Sequence, residues 1–406
     1  MRIILLFVIA LQLVITGQSQ IKEGRYQAAI MRIDGIAIPF TFDVKKVNGQ
    51  HLLRFINGKE QIEVREVLVK GDSILITMPV FESRIEAKIT GEKLVGQWLK
   101  ETSTGLQVMP FEANNSAPRF ALNDGAAKYN ITGRFKVHFN SDSLKNINAV
   151  GEFIQNGNQL TGTFLTTTGD YRYLQGVVTG NQLLLSTFDG GHAFLFTANI
   201  NNNKQLSAGK FFSGAIFEDG WNATKNATAF IPPLESAMYV KRGEQTLNFS
   251  FPDLDSNIVS LRDDRFRNKV VVVQIIGSWC PNCMDETAYL SQYYKQNRQR
   301  GVEILALAYE YTSNFARSKK SLQKFKDRFN VDYPFLITGV TVTDSLRTEK
   351  TLPELTPIKY FPTTIIIDKK GVIRKLDNGF YGPGTGNHFT EFKKEFTATI
   401  DALVRE

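Results

Sequence analysis

The chain has 406 residues, 42% hydrophobic and 22% charged, with 48 Lys and Arg against 40 Asp and Glu for a formal net charge of +8. That composition belongs to a folded globular protein, and the length exceeds one ordinary core, so about two or three domains are expected. The basic residues are spread out, with no basic cluster interleaved with aromatics of the kind nucleic-acid binding would want, and two cysteines in so long a chain exclude a disulfide-stapled scaffold.

Met1-Arg2, the almost wholly apolar run Ile3 to Ile15 and the small residues Thr16-Gly17-Gln18-Ser19 read as a secretory signal over residues 1–19, cleaved after Ser19. The apolar core is shorter than the roughly 20 residues of a comfortable membrane span, and no later segment is that long and uncharged. No cysteine lies at the junction to carry a lipid. The expectation is an exported protein, periplasmic or extracellular, without stable membrane insertion.

From Gln20 to about Ile231 the pattern is short strands and tight turns. Phe40, Phe42 and Val44 alternate with polar neighbours, as do Phe135, Val137 and Phe139, and Asn48-Gly49 and Asn57-Gly58 offer two-residue hairpin turns. Further turn signals at Gly71-Asp72, Gly91-Glu92, Asn156-Gly157, Gly180-Asn181 and Asp189-Gly190-Gly191 punctuate the stretch, so an all-β region is predicted. It also looks repetitive. Gly24-Arg25-Tyr26 returns as Gly133-Arg134-Phe135, and Gly91 to Leu99 returns as Gly157 to Leu165. A duplicated antiparallel sandwich or barrel-like unit, residues 20–120 and 125–235, accounts for this. Turn-rich β proteins also produce such glycine, leucine and aromatic triplets by chance. The seam is placed at Asn114 to Gly125, which contains Pro118.

Pro232-Pro233 mark a second boundary, and residues 240–406 alternate strand with helix. Val270 to Ile276 reads as a buried strand, Cys280 to Arg300 as a helix closed by Gly301, and Val302 to Tyr309 as the next strand. Ser313 or Asn314 caps a helix running to about Phe329, whose Lys319, Lys320, Lys324, Lys326 and Arg328 read as its solvated face. Strands over Phe335 to Thr338, Thr363 to Ile367 and Val372 to Leu376 follow. A last helix sets Phe389, Phe392, Phe396, Ile400 and Leu403 on one face. A central mixed sheet flanked by helices is predicted. Between the last strand and last helix, Gly382-Pro383-Gly384-Thr385-Gly386 lacks the lysine of a phosphate loop and reads as a connector.

The chemistry lies in Cys280 and Cys283. A pair closing so small a loop contributes little stability, whereas a thiolate at a helix start meets unpaired N–H groups and the positive end of the macrodipole, which lowers its pKa. A structural zinc site would need four ligands, and His51, His138, His192 and His388 lie at no useful spacing. No metal and no organic cofactor is expected.

Trp279-Cys280-Pro281-Asn282-Cys283, after a buried strand and opening a helix, with Phe361-Pro362-Thr363-Thr364 before a later strand, resembles the thioredoxin fold over residues 245–406. Within it the chain is most similar to the exported TlpA-like thiol:disulfide oxidoreductases, which include the cytochrome c maturation reductases. The resemblance implies that Cys280 is the nucleophile, Cys283 the resolving thiol, and the two together the redox disulfide. It implies that Trp279 shields the site. Pro362 would be the cis-proline presenting Phe361 and, beside it, Thr363 to an extended substrate. Gln274 stands where cytosolic thioredoxins carry a buried aspartate, and Glu286, three residues after Cys283, matches the glutamate of the TlpA-like branch. It would take the resolving thiol's proton, or else only complement the helix dipole. Peroxiredoxins of the same fold resemble a Thr-x-x-Cys, where this chain has Gly277, so peroxidase activity ranks low. The implied role is exchange with disulfide-containing exported proteins, as a reductase fed by an upstream electron donor. The alternative is a β-rich ligand- or partner-binding module that the redox domain serves.

Overall fold

The computed structural model describes residues 21–115, 117–140, 148–231 and 238–406. The expected signal segment 1–19 and the boundary at Pro232-Pro233 lie outside the described residues. The first region is all β, beginning with β1 (Gly24–Met31), β2 (Ala37–Val47), β3 (Gln50–Asn57) and β4 (Glu60–Val64), then β5 (Val67–Lys70), β6 (Ser73–Thr77), β7 (Ser83–Thr90), β8 (Lys93–Thr102) and β9 (Gly105–Asn115). They form one nine-stranded antiparallel sheet in which β1 pairs with β9 and the edges are β4 and β5. Alternation rolls it around its apolar face: Tyr26, Ala28 and Ile30 of β1 and Phe40, Phe42 and Val44 of β2 are buried together. Asn48 and Gly49 connect β2 to β3 with φ of 51° and 80°, the positive pair that a type I′ turn requires.

The second region repeats the plan with β10 (Gly133–Phe139), β11 (Asn148–Asn156), β12 (Gln159–Thr166), β13 (Gly169–Asp170) and β14 (Leu174–Thr179), followed by β15 (Gln182–Phe188), β16 (Ala193–Asn202), β17 (Gln205–Ser213) and β18 (Phe217–Lys225). Here a β11–β12 pairing closes the sheet into a barrel, and β13 hangs from β12 as a short hairpin arm. β1 and β10 are equivalent, since each pairs with the next strand and with the last one, and Gly24 and Gly133 share a φ of 130°. The second sequence similarity is not a repeat of position. Gly91 to Leu99 leads into β8, the neighbour of the last strand, whereas Gly157 to Leu165 leads into β12, the third strand of its sheet. The strand placed like β8 is β17. The shared glycines answer a shared local need, because a Cβ at Gly96 or Gly162 would run into the carbonyl of Glu86 or Glu152 on the adjacent strand.

The two sheets are locked together. Phe188, at the end of β15, inserts into the first sheet's core, stacked on Phe40 at 4.2 Å and edge-on to Trp98 at 5.4 Å. Arg119, in the segment between them, is buried and donates to Ile56 O at 2.8 Å, Ser186 O at 2.8 Å, Ser186 Oγ at 3.0 Å and Gln175 Oε1 at 3.2 Å.

The C-terminal region adds the hairpin β19 (Ser250–Pro252) and β20 (Ile258–Ser260), then β21 (Val270–Ile276), α1 (Pro281–Asn297), β22 (Val302–Ala308), α2 (Phe315–Arg328) and β23 (Phe335–Ile337). α3 (Arg347–Thr351), β24 (Thr363–Ile367), β25 (Ile373–Asn378) and α4 (Asn387–Arg405) complete it. The sheet runs β23-β22-β21-β24-β25, parallel through β23, β22 and β21 and antiparallel beyond, so it is the mixed, helix-covered sheet of the thioredoxin fold. Every residue of β21 is buried: Val270, Val272 and Ile276 face the cluster containing Leu290 of α1, Leu322 of α2 and Ile400 of α4, and Val271, Val273 and Ile275 face the opposite one. The basic face of α2 is not wholly solvated. Lys324 donates to Met78 O at 2.7 Å on the first sheet, because α2 is a docking surface within the molecule.

Replacing Arg119 by Met keeps the length of the side chain but leaves buried carbonyls at Ile56 and Ser186 without their donor. A loss of about 3 kcal/mol in unfolding free energy is expected, read by urea denaturation.

Candidate active site

The site is built where β21 leaves the core. Gly277, Ser278 and Trp279 turn the chain, Cys280 is the N-cap of α1 and Pro281 its first residue, a position where a missing N–H costs nothing. Cys280 and Cys283 form a disulfide with Cα atoms 5.2 Å apart, and the Cys283 N–H donates to Cys280 Sγ at 3.2 Å. Cys280 Sγ therefore receives one of the helix's orphan N–H groups, an arrangement that stabilises a thiolate at a helix start. Gly277 has a packing reason to be glycine: a Cβ would lie 2.1 Å from the Trp279 indole nitrogen. That nitrogen donates to Tyr309 O at 2.9 Å, and the ring stacks on Tyr311 at 5.4 Å and meets Phe361 edge-on at 5.2 Å. The Phe361–Pro362 peptide bond is cis. Thr363 is buried, its hydroxyl donating to Tyr360 O at 2.9 Å.

Glu286 is buried on α1, one turn beyond Cys283. Its carboxyl accepts from Gln274 Nε2 at 2.7 Å and Thr364 Oγ1 at 2.6 Å, while Gln274 Oε1 accepts from Thr287 Oγ1 at 3.2 Å and Tyr333 OH at 3.3 Å. Burial pushes the carboxyl up to about 7 despite both donors, because taking a charge out of water outweighs two hydrogen bonds to it. A second buried carboxyl, Glu310 just past β22, accepts from Ser278 N at 2.8 Å and Ser278 Oγ at 2.5 Å, and burial holds it also at about 7.

The β region reaches this site. Asn282, between the cysteines, donates to Phe380 O at 3.2 Å and lies 3.5 Å from Asp170 Oδ1 at the tip of the β13 arm, and a Cβ on Gly169 would collide with its side chain. Asp285 is held in a fork by Arg172, whose Nε and one terminal nitrogen both lie 2.8 Å from its oxygens. Arg172 also donates to Glu60 on β4 at 2.6 Å and lies 3.7 Å from Asp189. Burial pushes Asp170 up to about 7. His388 is turned away from the cysteines, onto Glu152 and Arg134 of the second barrel. The Gly382–Gly386 connector is a close-contact strip: Gly382 N donates to Asp170 at 2.9 Å, and a Cβ on Gly384 would meet the Arg172 backbone. Glu310, Asp170, Arg172 and Asp285 carry no motif, so only the folded structure brings them to the site.

A disulfide-forming pair capping the helix that follows a central strand, within a sheet of this order and facing a cis-proline loop, defines a thioredoxin-fold thiol-disulfide oxidoreductase. Residues 241–388 match the Redoxin family model. The chain is 30% identical over 140 residues to thiol-disulfide oxidoreductase ResA of Halalkalibacterium halodurans, covering 34% of this chain and 69% of that one. It is likewise 30% identical over 137 residues to ResA of Geobacillus thermodenitrificans, with the same coverage of 34% and 69%. A crystal structure of a thioredoxin-family thiol:disulfide interchange protein from Chlorobium tepidum TLS covers 41% of this chain and 99% of its own at 18% identity, with a TM-score of 0.31. The chain belongs to the ResA family of thiol-disulfide oxidoreductases.

The raised carboxyls fix a pH dependence. Unfolded, Glu286 and Glu310 ionise near their ordinary 4.5; folded, near 7, so between these values the native state holds more protons and stability falls as pH rises. The unfolding temperature is expected to drop from pH 5 to pH 7.5, and Glu286→Gln to remove a share on the order of 3 kcal/mol, read by calorimetry across that range.

Proposed function

We propose that this protein is an exported reductase of protein disulfides. The observation that carries the reading is Cys280 as helix N-cap, with the Cys283 N–H on its sulfur. In the reduced form the Cys280 thiolate attacks one sulfur of a substrate disulfide; a Cys280–substrate bond forms as the substrate's own S–S bond breaks, and the displaced sulfur leaves as a thiolate. Cys283 then attacks Cys280 Sγ, releasing the second substrate thiol and leaving the Cys280–Cys283 disulfide. Two electrons have passed to the substrate, and an upstream dithiol donor must return them.

Cys283 is fully buried and must lose its proton to attack. Glu286, buried one helical turn further on, is the base, and its raised pKa matches a proton acceptor working near neutral pH. The substrate's extended segment lies along Phe361 and Pro362, with Trp279 walling one side and Thr363 anchoring the turn that presents them. Two β units followed by a redox domain from about residue 240 complete the proposed organisation, with export delivering the pair to where disulfides are substrates.

Cys283→Ser is expected to trap a substrate mixed disulfide on Cys280, seen as an adduct on non-reducing gels, while Cys280→Ser traps none. Glu286→Gln is expected to lower turnover by about 100-fold and to flatten the pH–rate profile near 7. A Cys280–Cys283 potential near about -270 mV against glutathione supports a reductase, and one near about -120 mV overturns that direction.

A further inference from the structure

Cys280 is the residue a substrate must reach, yet only 3% of its surface is exposed. A helix N-cap at the end of a sheet is ordinarily open, and two turns from the β region pack beside this one. On one side the β13 arm lays Gly169 against Asn282. On the other, the turn between β6 and β7, Met78 to Glu82, places Val80 and Phe81 in the same buried apolar cluster as Cys280, Cys283 and Met284. That turn is held from both ends. Within the β region, Ser83 Oγ donates to Gly190 O at 2.5 Å, and the Gly191 backbone lies so close to the Phe81 ring that a Cβ there would fall 2.5 Å from it. Toward the redox domain, Arg317 of α2 grips Glu82 in a fork, at 3.0 and 2.7 Å, and Lys324 holds Met78 O. The side left partly open is the aromatic one, where Trp279, Tyr311 and Phe361 are only half-buried.

We infer that the β6–β7 turn is a specificity barrier: it admits to Cys280 a disulfide carried on a small molecule or a thin extended segment, and excludes one set in a folded surface. The geometry supports this because thiol–disulfide exchange needs the attacking sulfur in line with the bond it breaks, so a carrier as wide as a folded domain has to push Val80 and Phe81 aside first. The Glu82–Arg317 fork resists that displacement. It is the part of the barrier that can be altered without touching the core, since both side chains are partly exposed, at 25% and 36%. This extends the assignment of Cys280 as the attacking thiol and rests on it.

The test uses the reduced full-length chain and two alkylating reagents, iodoacetamide and a polyethylene-glycol maleimide, with the labelled cysteine located by mass spectrometry. Glu82→Arg and Arg317→Glu each set like charges together, and each is expected to raise the rate of Cys280 labelling by the bulky reagent about tenfold while leaving iodoacetamide within about twofold. The double exchange restores the pair with opposite polarity and is expected to bring the bulky rate back to within about threefold of the starting protein, short of full recovery because Glu101, 3.5 Å from Arg317, then faces a carboxylate. An unchanged ratio of the two rates in both single variants, or a double variant as open as the singles, overturns the barrier. Label on Cys283 instead of Cys280 overturns the assignment of the nucleophile, a different failure with a different readout.

Discussion

A guanidinium shut away from water has to find its counter-charges within the protein, and Arg172 finds one in each part of this molecule. Glu60 comes from the first sheet, Asp189 from the second barrel and Asp285 from the redox helix, and all four side chains are buried. An unpaired charge at such a site costs several kcal/mol, so any arrangement that separates one part from the others leaves Arg172 or a carboxylate exposed to that penalty. Burial, with a smaller contribution from the neighbouring carboxylates, raises the pKa of Glu60 and Asp170 against the pull of Arg172. Cooperation between the three parts follows from one side chain.

That ion cluster ends on the helix that carries the cysteines. Asp285 lies two residues beyond Cys283, and its negative charge would oppose a thiolate at the helix start if Arg172 did not neutralise it. The β region is thus bound into the electrostatics of the redox pair and is not a tethered neighbour. Glu286 and Gln274 complete the environment from below. The Gln274 amide donates to the Glu286 carboxyl, so a neutral side chain and not a second acid faces it there.

The parts of this arrangement that depend on local pattern were legible in the sequence. The Cys-x-x-Cys after a wholly buried strand, the helix closed by Gly301 and the alternating strands of the β region are all short-range signals, and the structure has them where the pattern sets them. What escaped is long-range. Arg172 and Asp285 are 113 residues apart, and nothing near either marks it as a partner. The lysine run on α2 looked like a solvated face because helical periodicity assigns a face but not what covers it, and the Gly382–Gly386 stretch looked like a connector because its glycines answer to Asp285 and Arg172. The Gly157 to Leu165 match misled for a related reason: close approach of neighbouring strands calls for glycine at more than one place in a rolled sheet.

The Arg172 cluster also has an order in time. Synthesis runs from the N-terminus, so Glu60, Arg172 and Asp189 all emerge before Asp285 does, and the β region can gather its own ion pairs while the redox helix is still untranslated. Of the four, the residue on the redox helix is made last, so Arg172 can already be paired with Glu60 and Asp189 when Asp285 emerges.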